Sequence, residues 1–166
     1  MAVDASTFKA ALGRFTSGVT VVTVNTEEGD YGMTASAFCS LSLDPPLVLV
    51  CVHKNNTTHQ RLDAAKGFGI NILAAPQKAS SNQYAGYGSS PQDSFASDVE
   101  RGAYSGAPLL DGSLAWLDCA KHAVHDGGDH TIFVGRVENA SAFGERDSLD
   151  PLLYAAGRYR ALGNQI

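Results

Sequence analysis

The sequence predicts a mainly β protein, an antiparallel barrel with a few short helices. Six or seven short segments rich in Val, Ile, Thr and aromatic residues recur along the chain, most of them joined by turn signals alone. Few are separated by a helix long enough for a crossover, which disfavours a doubly wound α/β fold. At 166 residues, 44% hydrophobic and 17% charged, the chain suits one domain, residues 1–166, with a full core. It contains no internal repeat and no linker.

Each element has its own signal. Asp4 or Ser6 can cap a first helix whose Phe8, Ala11, Leu12 and Phe15 fall on one face, with Gly18 as its stop. "VTVVTV" (19–24) is strand-forming, and "NTEEGD" (25–30) is a turn in which Gly29 is free to take positive φ. A strand over 31–43 closes at the Asp44-Pro45-Pro46 corner, since proline cannot donate to a ladder. Leu47–His53 returns as a buried strand, and Thr58 is positioned to cap a short helix over 59–66. "FGINIL" (68–73) is a further strand, and Pro76 suits the first position of a helix running to about Tyr84.

Residues 86–108 are rich in Gly, Ser and Pro and read as a surface excursion tethered by Phe95 and Tyr104. Strands resume over 113–124 and 130–140 around the turn "HDGGD", and a last β segment spans 151–162.

Composition excludes several functions. A net charge of −5 provides no broad field for nucleic acid or an anionic membrane. The N-terminus lacks the apolar stretch of a signal peptide, and no segment reaches transmembrane length. Cys39, Cys51 and Cys119 lie in strand-like contexts without CxxC spacing, which reads as three buried thiols in a reducing cytoplasm. No GxxxxGK[ST] exists, and the nearest approach to GxGxxG, starting at Gly86, ends in proline and follows no strand. A serine hydrolase lacks its Gly-x-Ser-x-Gly elbow. His122 and His125, three apart on a strand, point to opposite faces, so a zinc site with three ligands is not expected and no metal is assigned.

The strand "GMTASAFCSLS" is unusual because Thr34, Ser36, Ser40 and Ser42 alternate with apolar residues on the way into the core. Two readings stand. The hydroxyls line a concavity that binds a flat, heteroatom-rich ring, or they make cross-strand hydrogen bonds in a half-buried sheet. His130, after the flexible Gly127-Gly128 turn, is either a side chain that reaches a ligand or a solvated surface histidine; Asp129 reads as a turn-fixing residue.

Together, "GRFTSGVTVVT", "GMTASAFCSLSLDPPLVLVCV", "FGINIL", "GAPLLDGSLAWLDC", "GDHTIFVGRV" and "PLLYAAGRY" resemble the flavin reductase-like family. These are the reductase components of two-component flavin monooxygenases. The resemblance implies an antiparallel Greek-key split barrel (the FMN-binding split barrel) that forms a homodimer. It implies reduction of FMN or FAD by NADH or NADPH, with reduced flavin handed to a partner oxygenase. By position, Thr34, Ala35, Ser36, Ala37, Ser40, Cys51, Val52 and His53 match flavin contacts. Lys54, Asn55, Asn56 and Thr57 match the loop that reaches the flavin phosphate, and Ser81 and Tyr84 match a helix beside the flavin. His130 matches the histidine that meets the nicotinamide cofactor and is the one catalytic assignment, with Tyr154, Gly157 and Tyr159 near it. The alternatives are a split-barrel protein with tightly bound flavin that reduces a metal chelate or corrinoid, and a non-enzymatic flavin-binding module.

Overall fold

The computed structural model describes residues 2–87, 95, 99–142 and 149–163. Helix α1 (Ala5–Leu12) is capped by Asp4, whose carboxylate accepts from the N–H groups of Ser6 and Thr7 at 3.0 Å each. It stops at Gly13 rather than Gly18, because the chain is drawn into the short strand β1 (Ser17–Gly18). Strands β2 (Thr20–Thr26) and β3 (Gly29–Ala35) form a hairpin in which Thr26 faces Gly29, whose φ of 124° only glycine takes easily. β4 (Phe38–Ser42) and β5 (Leu47–His53) follow, then α2 (Thr57–Ala64) and β6 (Gly67–Ile72). A 3-10 turn (Ala75–Gln77) with Pro76 near its start leads into α3 (Lys78–Asn82) and a π turn (Gln83–Tyr87). Short strands β7 (Glu100–Arg101) and β8 (Pro108–Leu109) precede the long pair β9 (Ala115–Gly127) and β10 (His130–Ala142). A hairpin of β11 (Leu153–Ala155) and β12 (Arg158–Arg160) comes last.

The segment expected as one strand over 31–43 is two. β3 pairs with β2 and β4 pairs with β5, and the break falls at Ser36-Ala37. This break determines the shape of the molecule. The main sheet runs β3-β2-β6-β9-β10-β5-β4, antiparallel throughout, so β3 and β4 are its opposite edges. Laid flat, seven strands would hold those edges about 29 Å apart. Three Cα steps from Ala35 to Phe38 span at most about 11 Å. The sheet is therefore rolled into an antiparallel split barrel whose edges meet covalently without pairing to each other.

The barrel interior is filled by Val22, Met33, Val48, Val50, Val52, Phe68, Ile70, Cys119 and Phe133, joined by Leu62 of α2. Phe68, Phe133, Val50 and Val52 are fully buried. Two glycines let strands approach where no side chain fits. A Cβ on Gly67 would lie 2.3 Å from the Cys119 carbonyl, and one on Gly135 would lie 2.6 Å from the Phe68 ring.

Several expectations need correction. Asn56, not Thr58, caps α2, because its side chain accepts from the Thr58 N–H; the Thr58 side chain turns inward and is buried. Of the three cysteines only Cys119 is buried. Cys39 is exposed because β4 is an edge strand, and Cys51 is half-buried. Phe95 does tether its segment, with its ring 5.2 Å from that of Tyr84. Tyr104 does so through its backbone: its N–H donates to the buried Asp118 carboxylate at 2.7 Å while its ring stays exposed. The apolar face of α1 is uncovered, with Phe8, Leu12 and Phe15 all more than half exposed.

Candidate active site

A second, smaller core explains where the cleft lies. Val19, Val21, Leu73, Tyr84 and Leu152 pack together, with Phe95, Leu110 and Tyr159 against them. Backbone bonds weld the region: Val19 N–H to Leu152 O, Leu73 N–H to Val19 O, and Leu152 N–H to Leu73 O, at 2.9–3.0 Å. Strands β1, β11 and β12 form their own sheet beside the barrel, with Ser17 opposite Tyr154. The outer end of β3, the N-terminus of α2, the α3 region and this small sheet thus surround one concavity.

That cleft has a volume of about 340 Å3. Its walls include Thr34, Ser36, Asn56, Thr57, Ser81, Tyr84, Tyr154 and Tyr159. Residues from six parts of the chain, singled out in the sequence, are therefore brought together. Val19, Met33 and Ala85 also line it without a functional signal in the sequence, and so do Thr58, which reads as a helix cap, and Gly86, which opens only a failed GxGxxG. Gly86, inside the π turn, takes a φ of 84°.

Thr34 and Ser36 of the polar strand line the cleft, and the bonded hydroxyl reaches a helix rather than a neighbouring strand. The Thr34 hydroxyl donates to the Ser81 carbonyl at 2.6 Å, an internal bond that fastens β3 to α3. The Ser81 hydroxyl lies 2.9 Å from the Tyr159 hydroxyl, which also bonds the Asn82 side chain, so β12 joins the same network. Ser36 is exposed in the cleft wall, whereas Ser40 is exposed on β4 outside it. Burial pushes the Tyr84 phenol up to about 12, so it stays neutral there.

A second concavity of about 540 Å3 adjoins the first, sharing Ser36 and Tyr154. It is mostly apolar, lined by Leu12, Phe15, Phe38 and Leu49, and it takes in Ala37, Cys51 and Gly157. The Cys51 thiol is raised by burial and by the neighbouring Cys39. Gly157 and Ala156, both at positive φ, make the tight β11–β12 turn.

Ala35 and Val52 direct their side chains into the barrel core, so a ligand could meet only their backbone. His53, Lys54, Asn55 and His130 lie outside both concavities, in a polar cluster where β5 pairs with β10. His53 and His130 are directly opposite, with ring centroids 5.0 Å apart. The Lys54 ammonium pairs with Asp126, which holds that carboxyl below its usual value. His122 is the extra residue at a bulge between the Val134 and Gly135 positions, exposed on β9.

The donor set fits a phosphorylated heteroaromatic ligand. Exposed hydroxyls of Ser36 and Thr57, together with the N–H groups of an α2 N-terminus that has no acidic residue in its first turn, can take an anion. Met33, Tyr154 and Val19 offer apolar and aromatic surface to a ring. Among the described residues no group of three His, Cys, Asp or Glu is placed to hold a metal ion, and no helix is long and apolar enough to cross a membrane.

The fold and cleft define a split-barrel protein with one concavity lined by hydroxyls and aromatic rings, and comparison with known proteins makes the class specific. The flavin reductase like domain family matches residues 12–163. An NADH-dependent FAD reductase of Streptomyces globisporus is 43% identical, over 95% of this chain and 85% of its own length. The reductase subunit HsaB of a flavin-dependent monooxygenase from Mycobacterium tuberculosis is 38% identical, over 96% and 83%. The crystal structure of BorF, the flavin reductase component of a bacterial two-component tryptophan halogenase, superposes with a TM-score of 0.87 at 40% identity, covering 98% of this chain and all of that one. The chain belongs to the flavin reductase-like family. It is an oxidoreductase, an NAD(P)H-dependent flavin reductase.

Proposed function

We propose that residues 1–166 act as one domain that takes up free FMN or FAD in the 340 Å3 cleft, reduces it with NADH or NADPH, and releases it to a separate oxygenase. The observation that carries this reading is the convergence of Thr34, Ser36, Asn56, Thr57, Ser81 and Tyr84 on one wall system with Tyr154 and Tyr159. The relatives whose activity and partners are named above support it.

When bound, the nicotinamide supplies the hydride and the flavin ring accepts it, so the protein needs no acid–base dyad. Its work is binding and alignment. Thr57 and the α2 N-terminus hold phosphate. The backbone of Ala35 to Ala37 and of Cys51 and Val52 faces the ring, while Lys54 and Asn55 border the phosphate from the adjoining loop. His53 and His130 stand beyond Cys51, whose N–H donates to the Ala37 carbonyl. His130 contacts the dinucleotide, and Tyr154, Gly157 and Tyr159 border its position.

The protein works as a homodimer, in which a second copy covers the exposed Phe8, Leu12 and Phe15 beside the apolar concavity. It works in the cytoplasm, where its three free thiols stay reduced.

The test is NADH and NADPH oxidation with riboflavin, FMN and FAD supplied in turn. Turnover that requires added flavin is the expected result. Protein that purifies with flavin and oxidises NADH without any addition would overturn the diffusible-substrate reading.

A further inference from the structure

Asp129 reads in the sequence as a turn residue, yet the structure puts its carboxylate between two histidines. Oδ1 lies 2.6 Å from Nδ1 of His130, and Oδ2 lies 4.0 Å from Nε2 of His53. The carboxylate is held there by its backbone, since the Asp129 carbonyl accepts from the Lys54 N–H at 3.0 Å. The bond from His130 keeps the Asp129 carboxyl below its usual value, so it is ionised near neutral pH and acts only as an acceptor.

A neutral imidazole carries one N–H, and its partners decide which nitrogen bears it. On His53 the Asn55 N–H donates to Nδ1 at 3.1 Å, so that nitrogen must be bare and Nε2 must carry the proton. On His130 an ionised carboxylate faces Nδ1, so Nδ1 must carry the proton. Two histidines with ring centroids 5.0 Å apart are thereby fixed in opposite tautomers. The remaining charged groups nearby, Lys54 and Asp126, are engaged with each other. His125 of β9 stands opposite Ile132, two positions along β10 from His130.

We propose that Asp129 is a positioning residue that locks His130 as its Nδ1–H tautomer and so presents the Nε2 lone pair as a hydrogen-bond acceptor. In the neutral imidazole that nitrogen takes an N–H or O–H from the dinucleotide, for which the carboxamide of nicotinamide is the matching chemistry. The inference rests on the reading of His130 given under the proposed function.

The test begins with 15N NMR of imidazole-labelled protein at pH 8.5 without ligand, where protonated and bare ring nitrogens have widely separated shifts. The expected result is protonation at Nδ1 for His130 and at Nε2 for His53. Asp129→Asn should then move His130 toward the other tautomer, whereas Asp126→Asn on the same turn should not. In steady-state kinetics Asp129→Asn should raise the KM for NADH about five-fold, the loss of one oriented hydrogen bond, with kcat little changed. His130 protonated at Nε2 in the unsubstituted protein, or a tautomer indifferent to Asp129→Asn, overturns the proposal. So does a tautomer that shifts while NADH kinetics do not. Absence of flavin-dependent NADH oxidation in the unsubstituted protein would instead overturn the assigned activity, a separate outcome.

Discussion

Lys54 shows how much a single side chain's role depends on its neighbours. Its position in the chain places it in the loop proposed to border the flavin phosphate, yet its ammonium is paired with Asp126 on the β9–β10 turn and both are exposed. A pair of this kind contributes little to stability, so Lys54 can exchange Asp126 for a ligand phosphate at low cost. Lys54→Ala should weaken FMN by several-fold, roughly 1 kcal/mol, and leave riboflavin nearly unaffected, as measured by fluorescence titration of the two flavins. Equal losses would remove Lys54 from the phosphate site. The cysteines separate just as sharply. Burial pushes the Cys119 thiol from 9.0 up to about 12, whereas Cys39 is exposed. The fold favours the neutral Cys119 thiol, so the stability it supplies is complete below pH 9.0 and is lost as pH rises toward about 12. Alkylation of the native protein at pH 8 should label Cys39 first and leave Cys119 unmodified until the protein unfolds. Early labelling of Cys119 would show that the barrel opens readily.

At the scale of elements, what was legible and what was not follow from the range of the forces involved. The hairpins β2–β3 and β9–β10 were readable because Gly29 and Gly128 at positive φ declare local turns between alternating segments. The Asp4 cap was readable for the same local reason. The break at Ser36-Ala37 was not, because it comes from closing a sheet whose edges lie far from that dipeptide in the ladder order. The cleft was half legible. Thr34 and Ser36 stand out as hydroxyls in a strand, but only the arrival of α3 decides that one bonds the Ser81 carbonyl while the other is exposed in the cleft. Asp129 reads as a turn residue, and the sequence does not show that its carboxylate also comes within 4.0 Å of His53, which lies on a strand more than seventy positions earlier. Strand packing gives its own prediction. Gly135→Ala would drive a methyl group into the Phe68 ring and toward Cys119 in a close-packed interior. It should destabilise the protein by about 1–3 kcal/mol in a denaturant melt, while Gly128→Ala, with nothing near its Cβ, is strained only by its φ of 80°. A neutral Gly135→Ala would mean that β10 can shift away from the core.

The whole molecule is a split barrel carrying an uncovered apolar side. Sedimentation at micromolar concentration should show a dimer, and Phe15→Asp should shift it toward monomer by placing a charge among exposed apolar residues. A monomer in the unsubstituted protein would assign that surface to another partner.

The small sheet that joins Ser17 to Tyr154 has a consequence for how the protein comes into being. During translation the seven ladder strands, ending at Ala142, leave the ribosome before Leu153–Arg160. The barrel can therefore begin to assemble on a nascent chain that still lacks two of its cleft walls, Tyr154 and Tyr159. A ribosome-stalled chain ending near residue 142 should be compact yet blind to flavin. Ligand capture becomes possible only when Leu153 and Tyr154 pair back onto Gly18 and Ser17, made long before them.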